Sequence, residues 1–159
     1  MVVFGIDPGS RSTGWSVVVR EHGRYRVLAS GAITTTSETP MPTRLSTIHG
    51  QLVAFLALWK PDAVAIEAIF SHKSATSALI LGQARGVALL AAAGSGASLF
   101  EYNAATVKSS VGGNGRADKK AVARMVEMLV GGKIEGRHDA TDAVAIAICH
   151  HAHAGRLAR

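Results

Sequence analysis

Two short apolar runs, each closed by a carboxylate, constrain this chain more than any other feature. Val2-Val3-Phe4-Gly5-Ile6 ends in Asp7, and Ala63-Val64-Ala65-Ile66 ends in Glu67. Runs this short and this continuously apolar read as buried strands. Upstream of the second run, Leu45, Ile48, Leu52, Phe55, Leu56 and Trp59 recur at helical spacing until Pro61 stops them. Strand, helix and strand make a right-handed crossover, which lays the two runs side by side and parallel. Asp7 and Glu67 then reach the same sheet edge, where α/β sheets bind ligands. An ionised carboxylate ending a buried strand is costly unless a cation is near: a side chain, a helix N-terminus or a metal.

The rest of the chain fills in around that pair. Pro8-Gly9-Ser10 turns the chain sharply. Strands are predicted over 2–7, 14–20 and 24–34 as an antiparallel meander, with a turn at Gly23. Residues 37–42 form a loop, and residues 70–74 a polar loop with one aromatic, Phe70. A helix over 75–93 carries Gly82 and Gly86 one turn apart, a spacing that admits another backbone closely. A strand over 97–102, a short helix over 104–110 and a glycine break over 112–115 follow. A helix over 117–130 has Val122, Met125, Val126 and Leu129 on one face. The last helix, about 137–154, is apolar all round from 143 to 149 and should lie flat on the sheet. Its first turn carries Asp139 and Asp142, which share a face with a rise of about 4.5 Å between them. This order predicts one α/β domain over 1–159. Its mixed five-stranded sheet combines a three-stranded antiparallel meander with parallel strands and is flanked by helices.

Charge narrows the partners. The net charge of +6 and pI near 10.0 point to a polyanion, nucleic acid first. The single cysteine, Cys149, excludes an internal disulfide and suits a reducing compartment. No charged leader precedes an apolar segment at the N-terminus, and the apolar stretches 88–93 and 143–149 are far short of a membrane span. The expectation is a cytoplasmic protein with no membrane partner.

Four of the eleven acids stand beside segments predicted to be core: Asp7, Glu67, Asp139 and Asp142. Each has an ordinary explanation alone. Asp-Pro-Gly makes a turn unaided, Glu67 suits an ion pair at a strand end, and acids complement a helix N-terminus. Converging, they would repel one another unless cations lay between them. Hard oxygen donors in an open cluster suit Mg²⁺ or Mn²⁺. Two such ions about 3.5–4 Å apart serve phosphodiester hydrolysis by activating water and stabilising the leaving oxygen.

These residues carry a family resemblance. The chain resembles RuvC-type Holliday junction resolvases of the RNase H-like (retroviral integrase) superfamily. It does so in residues 5–11, Thr13-Gly14, residues 65–70, Ser77-Ala78-Leu79, Leu81-Gly82-Gln83-Ala84-Arg85-Gly86-Val87, Phe100-Glu101-Tyr102 and residues 139–147. The resemblance implies an RNase H-like fold in which Asp7, Glu67, Asp139 and Asp142 are the catalytic, metal-binding carboxylates. It implies two Mg²⁺ per site, with Mn²⁺ able to substitute. Some relatives place a His three residues before the last Asp. That place is Asp139 here, so His138 is one position out of step: it is expected to be an exposed helix-start residue, with an accessory role as ligand or acid–base helper as the alternative. Phe70 is expected to stack on an unpaired base near the junction centre, with a hydrophobic plug beneath its loop as the structural alternative. Lys108 and Lys119 match basic positions near the scissile phosphate. Lys119, just after the glycine break, would swing in on substrate binding. Lys73, Arg85, Arg116 and Lys120 are further phosphate contacts. His150, His151 and His153 are expected to be cationic side chains suiting the dipole of a helix end rather than a metal cluster.

The implied activity is symmetric, metal-dependent cutting of four-way DNA junctions in recombination and repair, by a homodimer partnered with the RuvA–RuvB branch-migration complex. The helix around Gly82 and Gly86 is the candidate dimer surface, with packing on its own sheet as the alternative. Two other classes are open: a junction-binding protein that does not cut, and an actin-like or sugar-kinase-type phosphate-binding protein. The latter needs a second nucleotide-binding domain that 159 residues cannot hold, and it leaves Asp139 and Asp142 unexplained.

Overall fold

The computed structural model describes residues 1–68, 74–112, 115, 117–136 and 138–157, with the side chains of 155–157 left aside. The chain runs β1 (Val2–Asp7), β2 (Ser12–Glu21), β3 (Arg24–Thr34), α1 (Met41–Trp59), β4 (Ala63–Ala68), α2 (Ala75–Gly94), β5 (Ser98–Asn103), α3 (Ala104–Gly112), α4 (Lys119–Val130) and α5 (His138–Leu157). The sheet order is β3-β2-β1-β4-β5. β1, β2 and β3 pair antiparallel, while β4 pairs parallel to both β1 and β5. The α/β architecture and mixed five-stranded sheet are those expected. β2 starts two residues earlier than the expected 14, because Ser12 already pairs with Thr34. α4 starts at Lys119, two residues later than the expected 117, where the Asp118 side chain caps it by accepting from the Ala121 N–H.

Strand alternation divides the core in two. Phe4 and Ile6 of β1 and Val64 and Ile66 of β4 point to one face, where Ile48, Leu52 and Leu56 of α1 and Ala88, Ala91 and Ala92 of α2 cover them. Val3 and Ala65 point to the other face, beneath α3, α4 and the fully apolar middle of α5. Each fully buried large side chain in these layers contributes about 1.5–3 kcal/mol. The same alternation aims Asp7 and Glu67 at the α5 face, because they share the parity of Gly5 and Ala65. The β1–β4 register pairs Gly5 with Ala65 and Ile6 with Ile66, and its next step sets Asp7 beside Glu67.

α5 can lie flat on the sheet because two positions under it lack a side chain. A Cβ at Gly5 would strike the Ala143 carbonyl oxygen, and one at Gly14 would strike that of Asp139. The glycines thus set the height of the helix that carries the second pair of acids.

Two expectations are corrected here. His150 and His151 are buried, and burial pushes both imidazoles below their ordinary value, so they are held neutral. His151 Nε2 lies 3.0 Å from the Val18 carbonyl oxygen, and His150 Nδ1 lies 2.9 Å from the Tyr102 hydroxyl. They are core hydrogen-bonding groups, not cations answering a helix dipole. The membrane expectation also needs amending. α2 is, by length and composition, apolar enough to cross a membrane, because its outward face carries Leu79, Ile80 and Leu90 besides the buried alanines.

Candidate active site

Asp7 lies at the end of β1, and the turn behind it is held by a residue that sequence reasoning missed. Arg44 is buried on the α1 stripe it shares with Ile48, Leu52 and Leu56. Its guanidinium donates to the Ser10 carbonyl (3.2 and 2.7 Å), the Ser10 hydroxyl (2.9 Å) and the Thr35 hydroxyl (3.1 Å). Thr13 tightens the same turn, its hydroxyl donating to the Gly9 carbonyl at 2.7 Å. A buried guanidinium is stabilised only when its donors are answered, and here the turn's oxygens answer them. A cation four residues before Ile48 on an apolar stripe was the available signal.

A pocket of about 250 Å³ opens at this sheet edge, lined by Asp7, Glu67, Lys108, Lys119, Asp142 and the apolar side chains beneath them. A larger groove of about 1010 Å³ between α1 and α2 lies away from this edge, and Asp62 is the sole acid on its lining. In the smaller pocket, burial lifts the Asp7 carboxyl well above its ordinary value, and repulsion from Glu67, Asp142 and Asp139 adds to the rise. Burial also raises Glu67, with Asp142 adding to it, while a hydrogen bond with Asp7, Lys119 and Lys108 pull the other way. Lys119 opens α4 and its ammonium donates to Asp142 Oδ2 at 3.2 Å. Asp142, above all, raises the ammonium further, so it stays charged.

Asp139 lies outside the pocket lining, but its charge is felt by both Asp7 and Lys119. Its Oδ2 accepts a 2.6 Å hydrogen bond from the Ser12 hydroxyl. His138 is exposed at the start of α5. Arg85, expected on phosphate, is engaged within the fold. Its Nε donates to the Glu67 carbonyl oxygen at 3.3 Å, and its guanidinium pairs with Glu101 on β5. Lys120 is exposed beside Lys119. Phe70, Lys73 and Arg116 lie outside the described residues.

The four acids suit a hard divalent cation by donor chemistry: oxygen donors only, mutually repelling, half-buried, and with a lysine ammonium already drawn among them. Among the described residues, no three His, Cys, Asp or Glu side chains close on one point as they stand.

The model of the family described as "Crossover junction endodeoxyribonuclease RuvC" matches residues 3–150. The chain belongs to the RuvC family. Similar curated members include those of Myxococcus xanthus, 47% identical over 160 residues (99% of this chain, 83% of the relative), and of Geobacter sp., 43% identical over 158 residues (99% and 96%). Both are crossover junction endodeoxyribonucleases. Among solved structures, Thermus thermophilus RuvC in complex with a Holliday junction substrate matches with a TM-score of 0.88 at 32% identity, covering 98% of this chain and 96% of that one. Family membership, the pocket's paired carboxylates and the two pocket lysines agree on one kind of chemistry, hydrolysis at a phosphodiester.

Proposed function

We propose that this chain is a Holliday junction resolvase that cuts DNA four-way junctions with the help of divalent cations. The observation that carries the reading is the meeting of Asp7, Glu67 and Asp142 with Lys108 and Lys119 in one pocket at the carboxyl ends of β1 and β4. Asp7, Glu67, Asp139 and Asp142 would hold the cations, Mg²⁺ or Mn²⁺. Bound there, the cations would supply the charge that activates water and stabilises the leaving oxygen. The residues themselves do the positioning. Asp7 and Glu67 come from adjacent rigid strands, and Asp142 from a helix pressed onto them, so the acids are held without a loop between them and the core. Lys119 exchanges Asp142 for the scissile phosphate when DNA arrives, and Lys108 steadies the same phosphate from α3. Phe70 stacks on a base near the junction centre. Lys73, Arg116 and Lys120 hold flanking phosphates. Arg85 reaches DNA only by releasing Glu101, and His138 remains an accessory at the rim. The products are nicked duplexes with 5′-phosphate and 3′-hydroxyl ends.

The working unit is a homodimer, acting in the bacterial cytoplasm with the RuvA–RuvB branch-migration complex. A Cβ at Gly82 or Gly86 would meet nothing within 4 Å, and both glycines are exposed. The alternative that they serve packing on their own sheet therefore loses its support, and the outward face of α2 fits a second copy.

The test is an end-labelled synthetic four-way junction incubated with Mg²⁺, Mn²⁺ or EDTA. Paired symmetric nicks that need a divalent ion support the reading. Tight binding with no nicks under any ion would favour a junction-binding protein instead.

A further inference from the structure

Ser12 is the position of the first turn that the motif residues 5–11 and Thr13-Gly14 pass over, yet it touches the site directly. It opens β2, and its hydroxyl donates to Asp139 Oδ2 at 2.6 Å across 127 positions of chain. That length is in the short, charge-assisted class for a hydroxyl on a carboxylate. Two residues on, Gly14 lies against the main chain of Asp139 so closely that a Cβ there would collide with its carbonyl oxygen. β2 therefore grips Asp139 twice, by backbone at Gly14 and by side chain at Ser12. Asp7 and Glu67 owe their direction to strand pairing, and Asp142 faces into the pocket beside Lys119. For Asp139, in the first turn of α5, the Ser12 hydroxyl supplies a restraint on the carboxylate plane.

We infer that Ser12 is a positioning residue for cation binding: it holds the Asp139 carboxylate in the orientation that completes the divalent site. The inference rests on the proposed role of Asp139 as a cation ligand. Hydrogen bonds that orient ligating carboxylates typically govern metal affinity by about 10- to 100-fold. Threonine and valine at position 12 have nearly the same shape and both suit a strand, so they differ chiefly in the hydroxyl.

The experiment is a calorimetric Mn²⁺ titration of the DNA-free protein and of its Ser12→Thr, Ser12→Val and Asp139→Asn variants, with junction affinity measured alongside in EDTA. The expected result is Mn²⁺ binding about 10-fold weaker or worse in Ser12→Val, near wild-type binding in Ser12→Thr, and unchanged junction affinity in both. In cleavage, Ser12→Val should shift the Mn²⁺ dependence of kcat to about 10-fold higher Mn²⁺, with kcat recovered at saturating Mn²⁺ and KM for the junction unchanged. If Asp139→Asn weakens Mn²⁺ binding and Ser12→Val does not, the positioning role of Ser12 is overturned while the ligand role of Asp139 stands. If Asp139→Asn itself binds Mn²⁺ like the wild type, the ligand reading falls, and the inference about Ser12 falls with it. Equal loss in Ser12→Thr and Ser12→Val would assign the effect to side-chain shape and overturn the hydroxyl's role.

Discussion

Asp7 is the residue on which the site's electrostatics turn. Burial and its three acidic neighbours push its carboxyl well above its ordinary value, toward the protonated form. The sign of the resulting stability follows from linkage. A carboxyl raised in the fold binds its proton more tightly there than in the unfolded chain. Its contribution is complete below the ordinary value of 3.8 and is lost as pH rises through the folded value. Without divalent ions, Asp7→Asn should therefore gain stability over the wild type, and the gain should grow as pH rises. Thermal unfolding of both proteins in EDTA across the acid-to-neutral range reads it as a difference of a few degrees in Tm. Adding Mg²⁺ should close the gap by stabilising only the wild type. Subtracting one protein from the other also removes the contribution of His150 and His151. Those groups run opposite in sign: lowered in the fold, they stabilise fully above their ordinary 6.5 and lose that stability as pH falls. The same Asp7→Asn substitution should reduce cleavage by about 100-fold or more while leaving junction affinity within about 2-fold, because neutralising one proposed cation ligand would disable the chemistry without removing a phosphate contact. A wild-type cleavage rate in this variant would remove Asp7 from the catalytic set.

At the scale of elements, α2 is the piece with two masters. Its inner side, Ala84, Ala88, Ala91 and Ala92, is committed to the core, while Leu79, Gly82, Gly86 and Leu90 face outward. Replacing Leu90 by Glu leaves the inner side untouched, so the helix signal in circular dichroism should stay. Sedimentation should then show the proposed dimer weakened by about 10-fold or more, since a charge buried in an apolar contact is desolvated without a partner. An unchanged dimer would move the interface to another face. The elements themselves were largely legible from the sequence, because period-2 and period-3.6 apolar patterns are imposed by the same two-sided core that the structure contains. Asp7 and Glu67 were legible for the same reason: a charge at the end of a buried run stands out against its neighbours. Ser12 and Arg44 were not read. A serine in a turn looks like turn chemistry until its partner 127 residues away is known. Arg44 lies at the first turn of a helix, where an arginine usually faces water. The neutral state of His150 and His151 was hidden too, since it depends on Tyr102 and Val18 reaching them from other strands.

For the whole molecule, β1, β4 and α5 bring one set of acids per chain to one edge of the sheet. A single pocket of this size suits one scissile phosphate, whereas resolution of a junction needs two strands cut. The proposed two-fold dimer would present two such pockets related by the symmetry that the junction itself possesses. The stoichiometry of cutting is then a property of the assembly and not of either chain. Mixed dimers of wild-type and Asp7→Asn protomers, purified through different affinity tags, make the test. Both protomers keep the lysines proposed to contact DNA, so the mixed dimer should bind a junction with wild-type affinity and wild-type salt dependence. It should nick one strand per binding event and leave the symmetry-related strand intact. On a supercoiled cruciform plasmid, where a single nick relaxes the cruciform away, the product should be nicked circles in place of the linear molecules that paired cuts release. Linear product from the mixed dimer at the wild-type rate would mean that one pocket serves both strands in turn, and the symmetric model of resolution would fail even with every active-site assignment intact.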